Sequence, residues 1–80
     1  MSTVITPERE RFDRAVTRRL RMVLASREIS VTELANAIGV SRNTLYMNLE
    51  HKTSPSLYTV AKICAVLELD ANKLLGIRRD

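Results

Sequence analysis

The chain is poor in the residues that most chemistry needs. Its 80 residues hold one cysteine, one histidine, no tryptophan, two glycines and two prolines. A lone Cys64 excludes an internal disulfide and a cysteine-built zinc cluster, and it fits a reducing compartment. One histidine on a polar loop (His51) and one cysteine on an apolar helix make no nucleophile–base set, so catalysis is the least supported class. No enzyme activity, metal or cofactor is expected. Phe12, Tyr46 and Tyr58 are the whole aromatic complement, so the core must be built from Leu, Ile, Val and Ala. No run of about 20 apolar residues is present, which excludes a membrane-crossing helix of the ordinary kind. The first residues lack the basic-then-apolar pattern of a secretory signal. These absences together predict a cytoplasmic chain with no membrane partner.

What remains is ordinary for a small folded domain: 45% hydrophobic and 28% charged residues, with a net charge of +4. Eighty residues make one domain of marginal stability. The expected layout is a single domain over 1–80, with 1–6 as an N-terminal arm and 77–80 as a C-terminal tail. The charge is uneven. Residues 1–27 carry Arg9, Arg11, Arg14, Arg18, Arg19, Arg21 and Arg27 against Glu8, Glu10 and Asp13. Such a balance suits a polyanionic partner, and equally a solvated helix face laced with ion pairs.

The central stretch, Ser30 to Leu49, reads as two short helices joined by a tight turn. Ser30 and Glu33 form a capping box, and Leu34, Ala35 and Ile38 fall on one helical face. Gly39 follows where positive φ ends a helix, Val40 plugs the corner, and Ser41 caps the next helix. Leu45 and Leu49 give that helix an apolar seam, which leaves Arg42, Asn43, Tyr46 and Met47 on the other side.

Around this pair, Thr6-Pro7 starts a helix of about 20 residues with Phe12, Val16, Leu20, Val23 and Leu24 at core spacing. Ile29 is placed as a hydrophobic staple. A polar loop, Glu50 to Pro55, leads to Ser56, which caps a fourth helix with Leu57, Val60, Ala61, Ile63, Cys64 and Leu67 as its apolar positions. Asp70 caps a short fifth helix with Leu74 and Leu75, and Gly76 stops it. The predicted fold is all-α: a compact five-helix domain with a helix-turn-helix at its second and third helices.

From about Val16 to Leu75 the chain resembles the lambda-repressor-like (Cro and phage-repressor, or XRE) helix-turn-helix family. The resemblance rests on ISVTELANAIGVSRNTLY and, at the right separation, SPSLYTVAKICAVLELDANKLL. It implies double-stranded DNA as partner, a homodimer on its operator, and no small-molecule ligand. The third helix would enter the major groove, with Arg42, Asn43, Tyr46 and Met47 toward the bases. Ser41, Thr44, His51, Lys52 and Thr53 would contact phosphates. Two positions depart from the family pattern. Val31 stands where a phosphate-clamping glutamine is common, and Asn48 where an aliphatic residue is common, with Leu49 supplying the apolar contact instead.

The leading expectation is a sequence-specific transcription regulator of the phage repressor or Cro kind, controlled through its own concentration. The alternative is an adaptor or antitoxin-like interaction module that keeps the fold without DNA contact. Cys64 is expected to be a small packed hydrophobe. Val4 and Ile5, or Leu75 and Ile77, have no evident core role and are candidates for joining two copies.

Overall fold

The computed structural model describes residues 6–50 and 52–77. These form five helices: α1 Pro7–Ser26, α2 Val31–Ile38, α3 Arg42–Leu49, α4 Leu57–Leu67 and α5 Ala71–Leu75. No strand occurs among the described residues.

Each helix starts where a side chain takes over an orphan amide. Thr6 accepts from the Arg9 amide, Ser41 from Thr44, Ser56 from Thr59, and Asp70 from Asn72. At α2 the exchange is reciprocal: Glu33 N–H donates to Ser30 Oγ at 3.0 Å, and Ser30 N–H donates to Glu33 Oε1 at 3.0 Å. One such cap is worth about 1 kcal/mol, enough to matter in a domain this small. Helix ends are equally defined. Gly39 and Gly76 take φ of 77° and 73°, the left-handed cap that costs a glycine nothing.

The core is aliphatic. Val16, Leu20 and Leu24 of α1 meet Leu34, Ala35 and Ile38 of α2, Leu45 and Leu49 of α3, Ile63 and Leu67 of α4, and Leu74 of α5. Helix α1 packs on α3 and α5, α2 on α3 and α4, and α4 on α5. Ile29 and Val40 lie against this cluster, as their places at the two corners of α2 require.

Three positions expected in the core lie outside it. Leu57 is 91% exposed and Phe12 46%, and Ala61 is exposed as well. In α4 the buried row is Thr59, Ile63 and Leu67 at four-residue spacing, which turns the first helical residue, Leu57, to solvent. In α1 the buried row begins only at Val16, so Phe12 projects a turn beyond the layer it was expected to join. Thr17 is buried without belonging to the apolar pattern. Its hydroxyl donates back to Asp13 O and Arg14 O, which satisfies it within its own helix.

Two arginines of α1 and the one at its C-cap clamp the other helices. Arg19 Nη1 donates to Leu74 O of α5 at 2.9 Å, and Arg21 Nη2 to Leu49 O of α3 at 2.6 Å. Arg27 Nη1 donates to Leu67 O of α4. Each carbonyl lies at or next to the end of its helix, where carbonyls lack intrahelical partners and the macrodipole favours a cation. Helices α3 and α4 have no basic residue in their own last turns, so Arg21 of α1 and Arg27, its C-cap, supply the charge from across the fold.

Candidate nucleic-acid interface

Helix α3 turns Leu45, Asn48 and Leu49 inward. At 100° per residue that inward row leaves the outer face to Arg42, Asn43, Tyr46 and Met47. Arg42 and Asn43 are exposed at the helix N-terminus, Tyr46 is 42% exposed, and Met47 is half-buried. Arg42 has no hydrogen-bond or ion-pair partner among the described residues. Asn43 reaches only the Met47 sulfur, Nδ2 to Sδ 3.7 Å, one turn along. A guanidinium and an amide at one helix end, both open to solvent, offer two donors for the guanine edge and a donor–acceptor pair for the adenine edge.

Ser41 and Thr44 form a linked pair at the start of α3. The Thr44 amide donates to Ser41 Oγ at 3.0 Å, and the Ser41 hydroxyl donates to Thr44 Oγ1 at 2.8 Å. The Ser41 proton is therefore engaged, and the Thr44 hydroxyl keeps its own proton for an outside acceptor.

The loop after α3 is folded back on the helix. Lys52 N–H donates to Met47 O at 2.9 Å, and Thr53 N–H to the same carbonyl at 3.4 Å. Asn48, 5% exposed, donates from Nδ2 to Thr53 Oγ1 at 2.8 Å and to Thr53 O at 3.3 Å. This explains a polar residue at a position the family fills with an aliphatic one: the Asn48 amide ties down the loop that carries Lys52 and Thr53. Both remain exposed. The Lys52 ammonium is only 4.0 Å from Glu50 Oε2, a loose surface pair that leaves it available. His51 lies outside the described residues.

Val31 is half-buried at the first position of α2 and shares a shallow groove with Arg21, Tyr46, Leu49 and Glu50. The position that lacks a clamping glutamine therefore has an arginine beside it. Sequence reasoning missed that neighbour, because Arg21 and Val31 meet only through tertiary packing. Near the same helix start, the Ser30 amide and hydroxyl hold the Glu33 carboxyl below its usual range. Cys64 is half-buried against the core, and burial, then the Asp70 charge, push its thiol pKa up. A thiol kept protonated is a packing group.

Among the described residues no group of three or more His, Cys, Asp or Glu is placed to hold a metal. No helix there is long and apolar enough to cross a membrane.

The comparisons point the same way as the geometry. No curated protein matches the chain at a significant level. The family model described as the Cro/C1-type helix-turn-helix DNA-binding domain matches residues 19–79, from the middle of α1 into the tail. That span takes in the turn at Gly39, the exposed end of α3 and the loop pinned by Asn48. The chain belongs to the Cro/C1-type helix-turn-helix DNA-binding family.

Proposed function

We propose that the protein is a sequence-specific double-stranded DNA-binding transcription regulator of the phage repressor or Cro kind, acting in the cytoplasm. The observation that carries this reading is the open N-terminal end of α3, where Arg42 and Asn43 stand exposed and uncommitted to the protein's own core. Arg42 pairs with guanine O6 and N7, and Asn43 with adenine N6 and N7. Tyr46 and Met47 lie one turn further in and contact thymine methyls or the sugar wall. Thr44, Lys52, Thr53 and His51 bind the flanking phosphates and fix the register, and Ser41, its hydroxyl engaged by Thr44, serves through its backbone amide.

A single domain reads few base pairs, so two copies act about one helical turn apart. Support comes from the apolar surface near α5. Ile77 is 54% exposed, and Leu75 lines a groove of about 190 Å³ with Phe12, Leu57 and Val60. The other candidate contact, Val4 and Ile5, lies outside the described residues.

An interaction module that no longer engages DNA is favoured by Val31 and Met47, which place apolar side chains where polar ones serve phosphates and bases. A salt titration on duplex DNA separates the two. A regulator loses affinity steeply as salt rises, because several condensed counterions are released on binding. An adaptor shows little affinity for any duplex at any salt.

A further inference from the structure

Of the six arginines of helix α1, Arg11, Arg14, Arg18 and Arg21 follow at spacings of three, four and three, so they share one helical face. They line one open groove of about 520 Å³ together with only Ala15 and Thr17. Within the protein this face is barely neutralised. Arg14 pairs with Glu10 at 2.9 Å in an exposed i,i+4 bridge, and Arg21 gives one N–H to Leu49 O. Arg11 and Arg18 have no hydrogen-bond or ion-pair partner among the described residues. The nearby acid Asp13 accepts from the Ser54 hydroxyl at 2.8 Å instead of facing the row. Like charges three and four residues apart destabilise a helix, and an anion bound across Arg11 and Arg18 would relieve that repulsion.

The row is continuous with the proposed DNA face at two points. Arg21 shares a groove with Val31, Tyr46 and Glu50, and Arg14 shares another with Lys52 and Thr53, which Glu10, Asp13 and Glu50 also line. From Arg11 to Arg21 the helix rises about 15 Å, a length over which one DNA strand presents about four phosphates. We infer that this arginine row is a second phosphate-binding track, which grips one strand of duplex DNA alongside the major-groove contact and adds affinity without sequence preference. The inference rests on the proposed DNA-binding function.

The test compares salt titrations of the full chain, wild type, R11Q/R18Q, R11K/R18K and R42A, on one duplex of about three helical turns and on a scrambled duplex. Arg11 and Arg18 are exposed, and glutamine is as good a helix former as arginine, so the fold is retained. If the track exists, R11Q/R18Q lowers the slope of log affinity against log salt by about 1.8, or about 0.9 for each phosphate no longer neutralised. Equivalently, a fourfold rise in salt costs this variant about 12-fold less affinity than it costs wild type. The effect is equal on both duplexes, and R11K/R18K restores the slope. R42A, by contrast, keeps the wild-type slope on the scrambled duplex. If wild type binds with a steep slope that R11Q/R18Q shares, the track is refuted and the row is left to an acidic protein partner. If wild type shows no salt-dependent affinity for either duplex, the DNA-binding reading fails and takes the track with it.

Discussion

Arg42 and Lys52 are both exposed cations near α3, yet the proposed function gives them different relations to a duplex. Arg42 is at the helix end aimed outward, whereas Lys52 is on the loop held by Met47 O and Asn48. Replacing Arg42 by Ala should remove discrimination at one base pair, roughly 1–3 kcal/mol, and leave the other positions of the site unchanged. Replacing Lys52 by Ala should weaken all sequences alike and lower the salt slope by about 1. Binding measured on a set of single-base operator variants distinguishes the two patterns. Equal and uniform losses from both changes would contradict the assignment of Arg42 to a base. Glu33 gives a separate check on the local structure behind the site. Its folded carboxyl titrates below the ordinary value of 4.5 because it accepts from the Ser30 amide and pairs with the Ser30 hydroxyl. A depressed carboxyl pKa adds stability above the unfolded value, and that addition is lost as pH falls through the folded one. Glu33→Gln keeps the cap but not the charge. Melting temperatures of wild type and variant should therefore differ at neutral pH and converge in acid. A constant gap between them across that range would rule out the charged cap as its source.

The two capping glycines of the elements differ in what lies beside them. At Gly39, with φ of 77°, an added Cβ meets nothing within 4 Å. At Gly76, with φ of 73°, it would sit 2.8 Å from Arg19 Nη2, the guanidinium that clamps Leu74 O through Nη1. Gly39→Ala should cost only the left-handed strain, about 1–2 kcal/mol. Gly76→Ala should cost about 1 kcal/mol more, because the Arg19 hydrogen bond is broken as well. In an Arg19→Met background that excess should vanish, and a double-mutant cycle on denaturation midpoints measures it. Equal costs for both glycines in the wild type would mean the clamp contributes nothing. This contrast also marks what could be read from the chain. The starts of all five helices and the glycine stops of α2 and α5 were legible, since Thr6, Ser30, Glu33, Ser41, Ser56, Asp70, Gly39 and Gly76 act on amides and carbonyls a few positions away. The outward row of α3 was legible for the same reason, as soon as Leu45 and Leu49 marked the inward side. The stop of α4 was not, because Glu68 takes the left-handed conformation (φ 53°) with no glycine to mark it. The clamps by Arg19, Arg21 and Arg27 were not, because their carbonyl partners lie 28 to 55 positions along the chain. Neither was the role of Asn48, whose side chain reads as a misplaced polar group until the loop is seen to close on it.

At the scale of the whole molecule, the apolar groove between α1, α4 and α5 and the arginine row of α1 are separate surfaces. Phe12, Leu57 and Leu75 border one groove, and Arg11, Arg14, Arg18 and Arg21 border another. Association of two copies through the first would leave the second free for DNA. Sedimentation at tens of micromolar should show self-association that Leu57→Glu weakens, and a monomer bound singly to its operator would remove the dimer. The account as a whole turns on α3 reading base edges in duplex DNA. Selection of bound sites from a random duplex pool tests that most directly. The expected result is a recovered palindrome whose half-sites lie about one helical turn apart, with one position relaxed when the selection is repeated with R42A. A pool that emerges as random as it entered, or one whose enrichment R42A leaves untouched, would contradict it.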